Sequence, residues 1–212
     1  MDANFWLEKW KDNNIAFHNS EANPLLIKYV KQLSLAEGSR IFLPLCGKTL
    51  DIAWLLSQGY RVAGAELSAI AIGQLFMNLE MEPKIVEVGK IKHYSAENID
   101  IFAGDIFDLT SRVLGSVNAV YDRAALVALP KELRHRYTDY LMKITDKAPQ
   151  LIICYEYDQA LMSGPPFSIS DKEVRRHYQD SYVLSLAEST NLPGGLKGKC
   201  AAKENVWLLK NK

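Results

Sequence analysis

The run Ile41-Phe42-Leu43-Pro44-Leu45-Cys46-Gly47-Lys48, answered by Val62-Ala63-Gly64-Ala65-Glu66-Leu67, constrains this chain more than any other feature. A short apolar stretch ends in a turn containing proline and glycine, and a helical stretch follows. A second apolar stretch then ends on a carboxylate about 20 residues after the turn. Apolar runs of this kind are strands buried on both faces, and a helix between them makes their pairing parallel. In such a half-sheet the turn lets backbone approach a ligand and the acid takes ribose hydroxyls. The pattern therefore points to a bound nucleoside.

The same grammar continues along the chain. Arg40–Pro44 reads as a strand, Thr49–Ser57 as a helix and Tyr60–Ala65 as a strand, and Ser68 caps a helix through about Leu79. Ile99–Ala103 and Val117–Tyr121 are further strands, and Pro130 opens a helix at its first position through about Ile144. Leu151–Tyr155 is a strongly apolar strand, followed by Gly164-Pro165-Pro166-Phe167, a loop that cannot be helix. A helix starts at Ser170 or Asp171, and Val183–Ala187 and Val206–Leu209 complete the strands. Between Lys84 and Asn98, two weak β runs (Ile85–Val88 and Ile91–Tyr94) read as a hairpin insertion. Before all of this, Phe5, Trp6, Leu7 and Trp10 fall at helical spacing, and Pro24 sits in the first turn of a second helix. Strands alternating with helices predict a largely parallel sheet covered on both faces. At 212 residues the chain fits one domain, with 1–37 as a helical cover and 38–212 as an α/β core.

Composition excludes several classes. Lys+Arg and Asp+Glu both number 25, a balance that argues against a nucleic-acid or anionic-membrane role. Cys46, Cys154 and Cys200 are odd in number, far apart and free of any CxxC, which disfavours a metal site or a disulfide framework and suits a reducing compartment. No run reaches membrane-spanning length, and the N-terminus lacks a basic stretch followed by an apolar one. The expectation is a soluble cytoplasmic protein. No heptads or conspicuous apolar helix face ask for a partner, which favours a monomer.

Three ligands compete for the first turn. Gly47-Lys48-Thr49 ends like a P-loop, but that motif needs glycine where Phe42 stands, and a bulky side chain there removes the amide cradle for phosphates. A dinucleotide needs two close backbone approaches, and this turn has one glycine, preceded by Leu45 and Cys46. S-adenosylmethionine needs a ribose acid and an adenine slot but no diphosphate cradle, and fits best. Later strand ends agree. Asp105 can accept from an adenine amino group with Ile106 covering the ring, and Asp122-Arg123 ends the next strand at the crevice where doubly wound sheets bind ligands. The plainer alternatives are a solvated strand-end acid for Glu66 and an N-cap for Asp105.

Phe5-Trp6-Leu7-Glu8-Lys9-Trp10, Phe17-His18, Pro44-Leu45-Cys46-Gly47-Lys48, Asp122-Arg123-Ala124-Ala125-Leu126-Val127-Ala128-Leu129-Pro130 and Gly164-Pro165-Pro166-Phe167 together resemble the thiopurine S-methyltransferase family in its bacterial form. The resemblance runs from Phe5 to about Val174, in order and with similar spacings; Tyr182 to Lys199 matches poorly. It implies a class I methyltransferase fold, with a seven-stranded, mostly parallel sheet whose last strand is antiparallel and a lid of N-terminal helices. It implies S-adenosylmethionine contacts from Trp10, Leu45, Glu66 and Arg123, with Ile106 on the adenine. By the same analogy Phe17, His18, Pro166 and Phe167 border the pocket for a small thiol.

The residues can support that chemistry. Methyl transfer from a sulfonium to sulfur is an in-line displacement with a neutral leaving group. Alignment, exclusion of water and stabilisation of the thiolate are the main tasks, and neither a triad nor a metal is needed. Arg123 offers a planar donor fork for a carboxylate and a positive charge for an anionic acceptor; its plainer role is an ion pair with Asp122. Trp10 offers an indole donor and a flat face, and His18 can accept a thiol proton near neutral pH. His93, His135 and His177 lack ligand spacing and read as surface residues. Pro165-Pro166 stiffens a wall beside Phe167, and Phe5, Trp6, Trp10 and Phe17 make a lid that tightens with the cofactor. Two competing readings are a methyltransferase for selenium or tellurium species or for halide and thiocyanate, and a non-catalytic nucleoside-binding module.

Overall fold

A computed structural model describes residues 3–15 and 18–212. Its centre is a run of five parallel strands: β1 (Arg40–Pro44), β2 (Arg61–Glu66), β5 (Ile99–Ala103), β6 (Ala119–Arg123) and β7 (Gln150–Tyr157). The hairpin β3 (Lys84–Val88) and β4 (Ile91–Ala96) extends one edge, and β8 (Tyr182–Asn191) with β9 (Ala202–Asn211) extends the other. The strand order is β3-β4-β5-β2-β1-β6-β7-β9-β8. The last strand, β9, is antiparallel and inserted between β7 and β8, as the resemblance implies.

The sheet has nine strands rather than the expected seven. Those two extra strands are the anticipated hairpin, which pairs into the sheet instead of standing apart: His93 lies opposite Phe102 and Tyr94 opposite Ile101. Every residue of β3 is exposed, so no buried face imprints alternation on its sequence.

Among the described residues, seven helices cover the sheet: α1 (Ala3–Lys11), α2 (Pro24–Tyr29), α3 (Asp51–Ser57), α4 (Ala69–Asn78), α5 (Ser111–Leu114), α6 (Lys131–Ile144) and α7 (Asp171–Tyr178). Period-two alternation divides the strands between two cores. Ile41, Leu43, Val62, Ile101 and Tyr121 pack with α2, α3 and α4, while Phe42, Ala63, Phe102, Val120 and Ile152 pack with α5, α6 and α7. Phe42, which blocks a P-loop in the sequence, is wholly buried.

Helix starts follow local chemistry. Ser68 accepts from the Ala71 amide, and Ser170 accepts from Glu173, both as expected of N-caps. Asn23 caps α2 through Leu25 and donates its own amide to Asp51 Oδ1 at 2.6 Å, tying α2 to α3. Pro130 is the N-cap of α6 rather than its first residue, because its ψ of 154° is extended. α3 begins at Asp51, with Thr49 Oγ1 accepting from the Asp51 amide. His177 is buried rather than on the surface, between Thr138 and Glu173, and His93 stacks on Phe102 and pairs with Asp100. Among the described residues, no helix is long and apolar enough to cross a membrane.

Candidate active site

β1 is the strand at which the order reverses: β2 lies on one side and β6 on the other. The crevice at such a switch point is where doubly wound sheets take ligands. Here both strands end in the same unusual way. Leu45 after β1 has φ +50°, and Ala124 after β6 has φ +72°. Neither is glycine, so each left-handed residue costs about 1 kcal/mol or more, strain that the surrounding packing must hold. The two turns border a cleft lined by Trp10, His18, Leu45, Asp51, Tyr121 and Arg123, among others.

On the β2 side the site is made of main chain. Glu66 ends β2, is buried, and accepts from the Gly47 amide through Oε2 and from the Ser68 amide through Oε1, both at 2.8 Å. A carboxylate has about four acceptor positions, so acceptor capacity remains for a hydroxyl donor. Burial raises the Glu66 pKa, opposed by the amides of Ser68, Gly47 and Leu67. Gly64 is needed here for space: a Cβ would stand 2.7 Å from Ile101 Cδ1 and 2.8 Å from Cys46 Sγ. Gly47 is needed twice over, for its φ of +56° and because a Cβ would meet the Trp10 ring at 2.9 Å. Trp10 is thus laid directly over the turn, and it is buried. Beyond the end of β5, exposed Asp105 accepts from the Phe107 amide, the N-cap role, and Ile106 beside it is buried.

On the β6 side the site is made of side chains. Alternation sends Tyr121 and Arg123 into the cleft and Asp122 to the reverse face. The Arg123–Asp122 ion pair is therefore not formed. Asp122 is wholly buried, accepts from Tyr137 Oη at 2.7 Å and from the Leu126 amide at 3.1 Å, and has its pKa pushed up by burial to about 6. Tyr121 donates to Asp51 Oδ2 at 3.0 Å. Tyr155 neighbours both Arg123 and Glu204, which act on its hydroxyl with opposite sign. The His18 pKa is lowered, first by burial and then by Lys48 and Arg123, with Asp51 opposing. At neutral pH this imidazole is a proton acceptor.

The Gly164–Phe167 loop is bound to the turn after β6: the Phe167 amide donates to the Val127 carbonyl at 2.6 Å. Tyr157 Oη donates to Pro166 O at 2.7 Å, fixing the loop from the other side. Trp10, His18, Leu45 and Arg123 thus share one cleft, with Glu66 one hydrogen bond behind its floor. Asp105 and Ile106 stand at the end of β5, and Pro166 and Phe167 half-buried beside the β6 turn. Phe17 falls outside the described residues. Sequence reasoning missed Asp51, Tyr121, Tyr155 and Glu204. Tyr121 was within reach, since it precedes Arg123 by two residues on a strand; Tyr155 and Glu204 come from strands whose register no local signal reveals.

Residues 1–212 match the family model described as thiopurine S-methyltransferase. The thiopurine S-methyltransferase of Xanthobacter autotrophicus is 52% identical over 210 residues, covering 99% of each chain. That of Teredinibacter turnerae is 50% identical over 209 residues, covering 99% of this chain and 97% of its own. Among solved structures, the 1,6-didemethyltoxoflavin-N1-methyltransferase of Burkholderia thailandensis, with 1,6-didemethyltoxoflavin and S-adenosylhomocysteine bound, aligns with a TM-score of 0.68 at 14% identity, over 99% of this chain and 87% of its own. The magnesium protoporphyrin IX methyltransferase of Synechocystis, with S-adenosylmethionine bound, gives 0.66 at 13% identity, over 100% and 98%. At these identities the structural likeness speaks for the fold, that of class I S-adenosylmethionine-dependent methyltransferases. Joined to a family match over the whole length and relatives half identical throughout, it means that this chain belongs to the thiopurine S-methyltransferase family.

Proposed function

We propose that the protein methylates the sulfur of thiopurines and related aromatic or heterocyclic thiols. The observation that carries this reading is the single cleft at the ends of β1 and β6, where an indole, an imidazole and a guanidinium meet. S-adenosylmethionine, when bound, supplies an electrophilic methyl on a sulfonium. The donor set suits it: a carboxylate with acceptor capacity at Glu66 for ribose, apolar Ile106 with Asp105 for adenine, and a cation at Arg123 for the methionine carboxylate. One glycine in the turn leaves no cradle for a diphosphate.

The chain's own groups then have three tasks. Trp10 and α1 cover the turn and keep water out, whereas Leu26, Tyr29 and Val30 of the next helical stretch are buried in the core. Pro166 and Phe167 give a flat acceptor a wall to lie against. Arg123 favours the thiolate over the thiol, and neutral His18 can take the proton that a weakly acidic thiol must lose. We read the enzyme as cytoplasmic and monomeric; all three cysteines are buried and unpaired, as a reducing compartment permits.

A screen with methyl-labelled cofactor across aryl thiols, thiopurines, selenite and tellurite tests the reading. Labelled product should form with aryl and heterocyclic thiols at the highest kcat/KM. Turnover confined to the chalcogen oxyanions, or calorimetric cofactor binding with no turnover at all, would sink it.

A further inference from the structure

Arg123 makes no ion pair among the described residues, although it is half-buried in the cleft. The opposing charge stands one side chain away. In the parallel β6–β7 ladder Arg123 lies opposite Ile153, and Tyr155 follows on the same face two residues later. In the antiparallel β7–β9 ladder Tyr155 lies directly opposite Glu204. Three adjacent strands therefore line up guanidinium, phenol and carboxylate in that order, all half-buried. Both charged groups act on the phenol, with opposite sign.

The direction of the bonds follows from the groups. Arg123 can only donate, an ionised Glu204 can only accept, and a phenol does both. A bridge through Tyr155 would therefore run from an Arg123 N–H to the phenol oxygen and from the phenol hydrogen to Glu204. A direct Arg–carboxylate pair would occupy the donor fork and quench its charge toward a ligand. With tyrosine interposed, the guanidinium is oriented and its charge offset at a distance, while its remaining donors stay free.

We propose that Glu204, acting through Tyr155, is a positioning residue that aims the Arg123 guanidinium into the cleft for methyl transfer. This rests on the reading that places Arg123 in the catalytic site. The groups that face Glu204 are Tyr155, Cys154 and Arg123, Tyr121 on the Arg123 strand, and Glu188 on β8, itself held by Lys28 and Tyr29. Glu188 is anchored by its own partners, and Asp51 in the cleft accepts from the Asn23 amide and from Tyr121, which leaves Glu204 as the carboxylate beside Tyr155.

The test is a mutant cycle on the full-length enzyme with an aryl thiol acceptor. Glu204→Gln and Tyr155→Phe should each lower kcat/KM about tenfold, through kcat more than KM. In an Arg123→Ala background each should cost less than about twofold, because the groups act through Arg123. Glu204→Gln should also flatten the acid limb of the kcat/KM profile, which a merely structural role would leave in place. Equal losses in both backgrounds would overturn the proposal while leaving Arg123 in the site. Wild-type kinetics in Arg123→Ala would instead overturn the site assignment and this proposal with it. Should Glu204→Gln fail to fold, Tyr155→Phe alone closes the cycle.

Discussion

The ends of β2 and β6 face the same crevice but are held by different means. At β2, Glu66 is gripped by two backbone amides, one in the turn after β1 and one at the start of α4. At β6, Arg123 is flanked by the side chain of Tyr155 and, beyond it, Glu204, both far away in sequence. A group held by main chain is part of the fold, and its loss leaves buried amides without acceptors. A group held by side chains can be removed with the backbone intact. The β2 end should therefore couple ligand affinity to stability, and the β6 end should separate turnover from stability.

The largest effect tests the reverse face of β6, which belongs to the fold rather than to the cleft. The Asp122 pKa is raised to about 6 from 3.8 by burial. Below pH 3.8 it is protonated in folded and unfolded chains alike and costs nothing. Stability falls as pH rises from there through about 6, by about 3 kcal/mol in all. In urea unfolding, the stability of Asp122→Asn relative to wild type should rise by most of that amount between pH 4 and pH 7. A difference that does not vary with pH would refute the burial argument. Next, Arg123→Ala should lower kcat about 100-fold while changing unfolding free energy by less than about 1 kcal/mol, since no buried partner is stranded in the core. A loss of stability as large as the loss of turnover would erase the contrast between the two ends.

Glu66→Gln comes third. It keeps one acceptor for two amides, so it should weaken cofactor binding about tenfold by calorimetry and destabilise the chain by about 1–2 kcal/mol together. Weaker binding with unchanged stability would show that the main-chain grip is not structural. Smallest is Ser68→Ala, which removes the cap of α4 but keeps the Ser68 amide on Glu66. About 1 kcal/mol of stability should go, with cofactor affinity changed less than about twofold.

The same contrast explains what could be read before the structure. The β1 turn and Glu66 were legible because their geometry is made locally, by residues close in sequence and by a glycine whose φ and close approach to Trp10 allow no side chain. Helix caps at Ser68 and Ser170 were legible for the same reason. Arg123 was legible as a strand-end residue, but its neighbours were not. The alternative of a pairing with Asp122 falls to strand alternation, and Tyr155 and Glu204 enter through cross-strand register. Likewise β3 gave little sign of joining the sheet, because a strand exposed on both faces has no buried stripe to display. His177 looked like a surface residue because its burial depends on Thr138 of α6, 39 positions away.

The close approach of Gly64 to Cys46 has one more consequence. It buries the Cys46 thiol in the strand layer, where desolvation, then Glu66, drives its pKa well above the ordinary value. Burial likewise pushes the Cys154 thiol up, and Cys200 is covered as well. An enzyme that brings an electrophilic methyl group and foreign thiols together is exposed to alkylation of its own sulfur and to mixed disulfides with its acceptors. Cys46 borders the cleft itself, so its raised thiol pKa, rather than distance, withholds it from that chemistry.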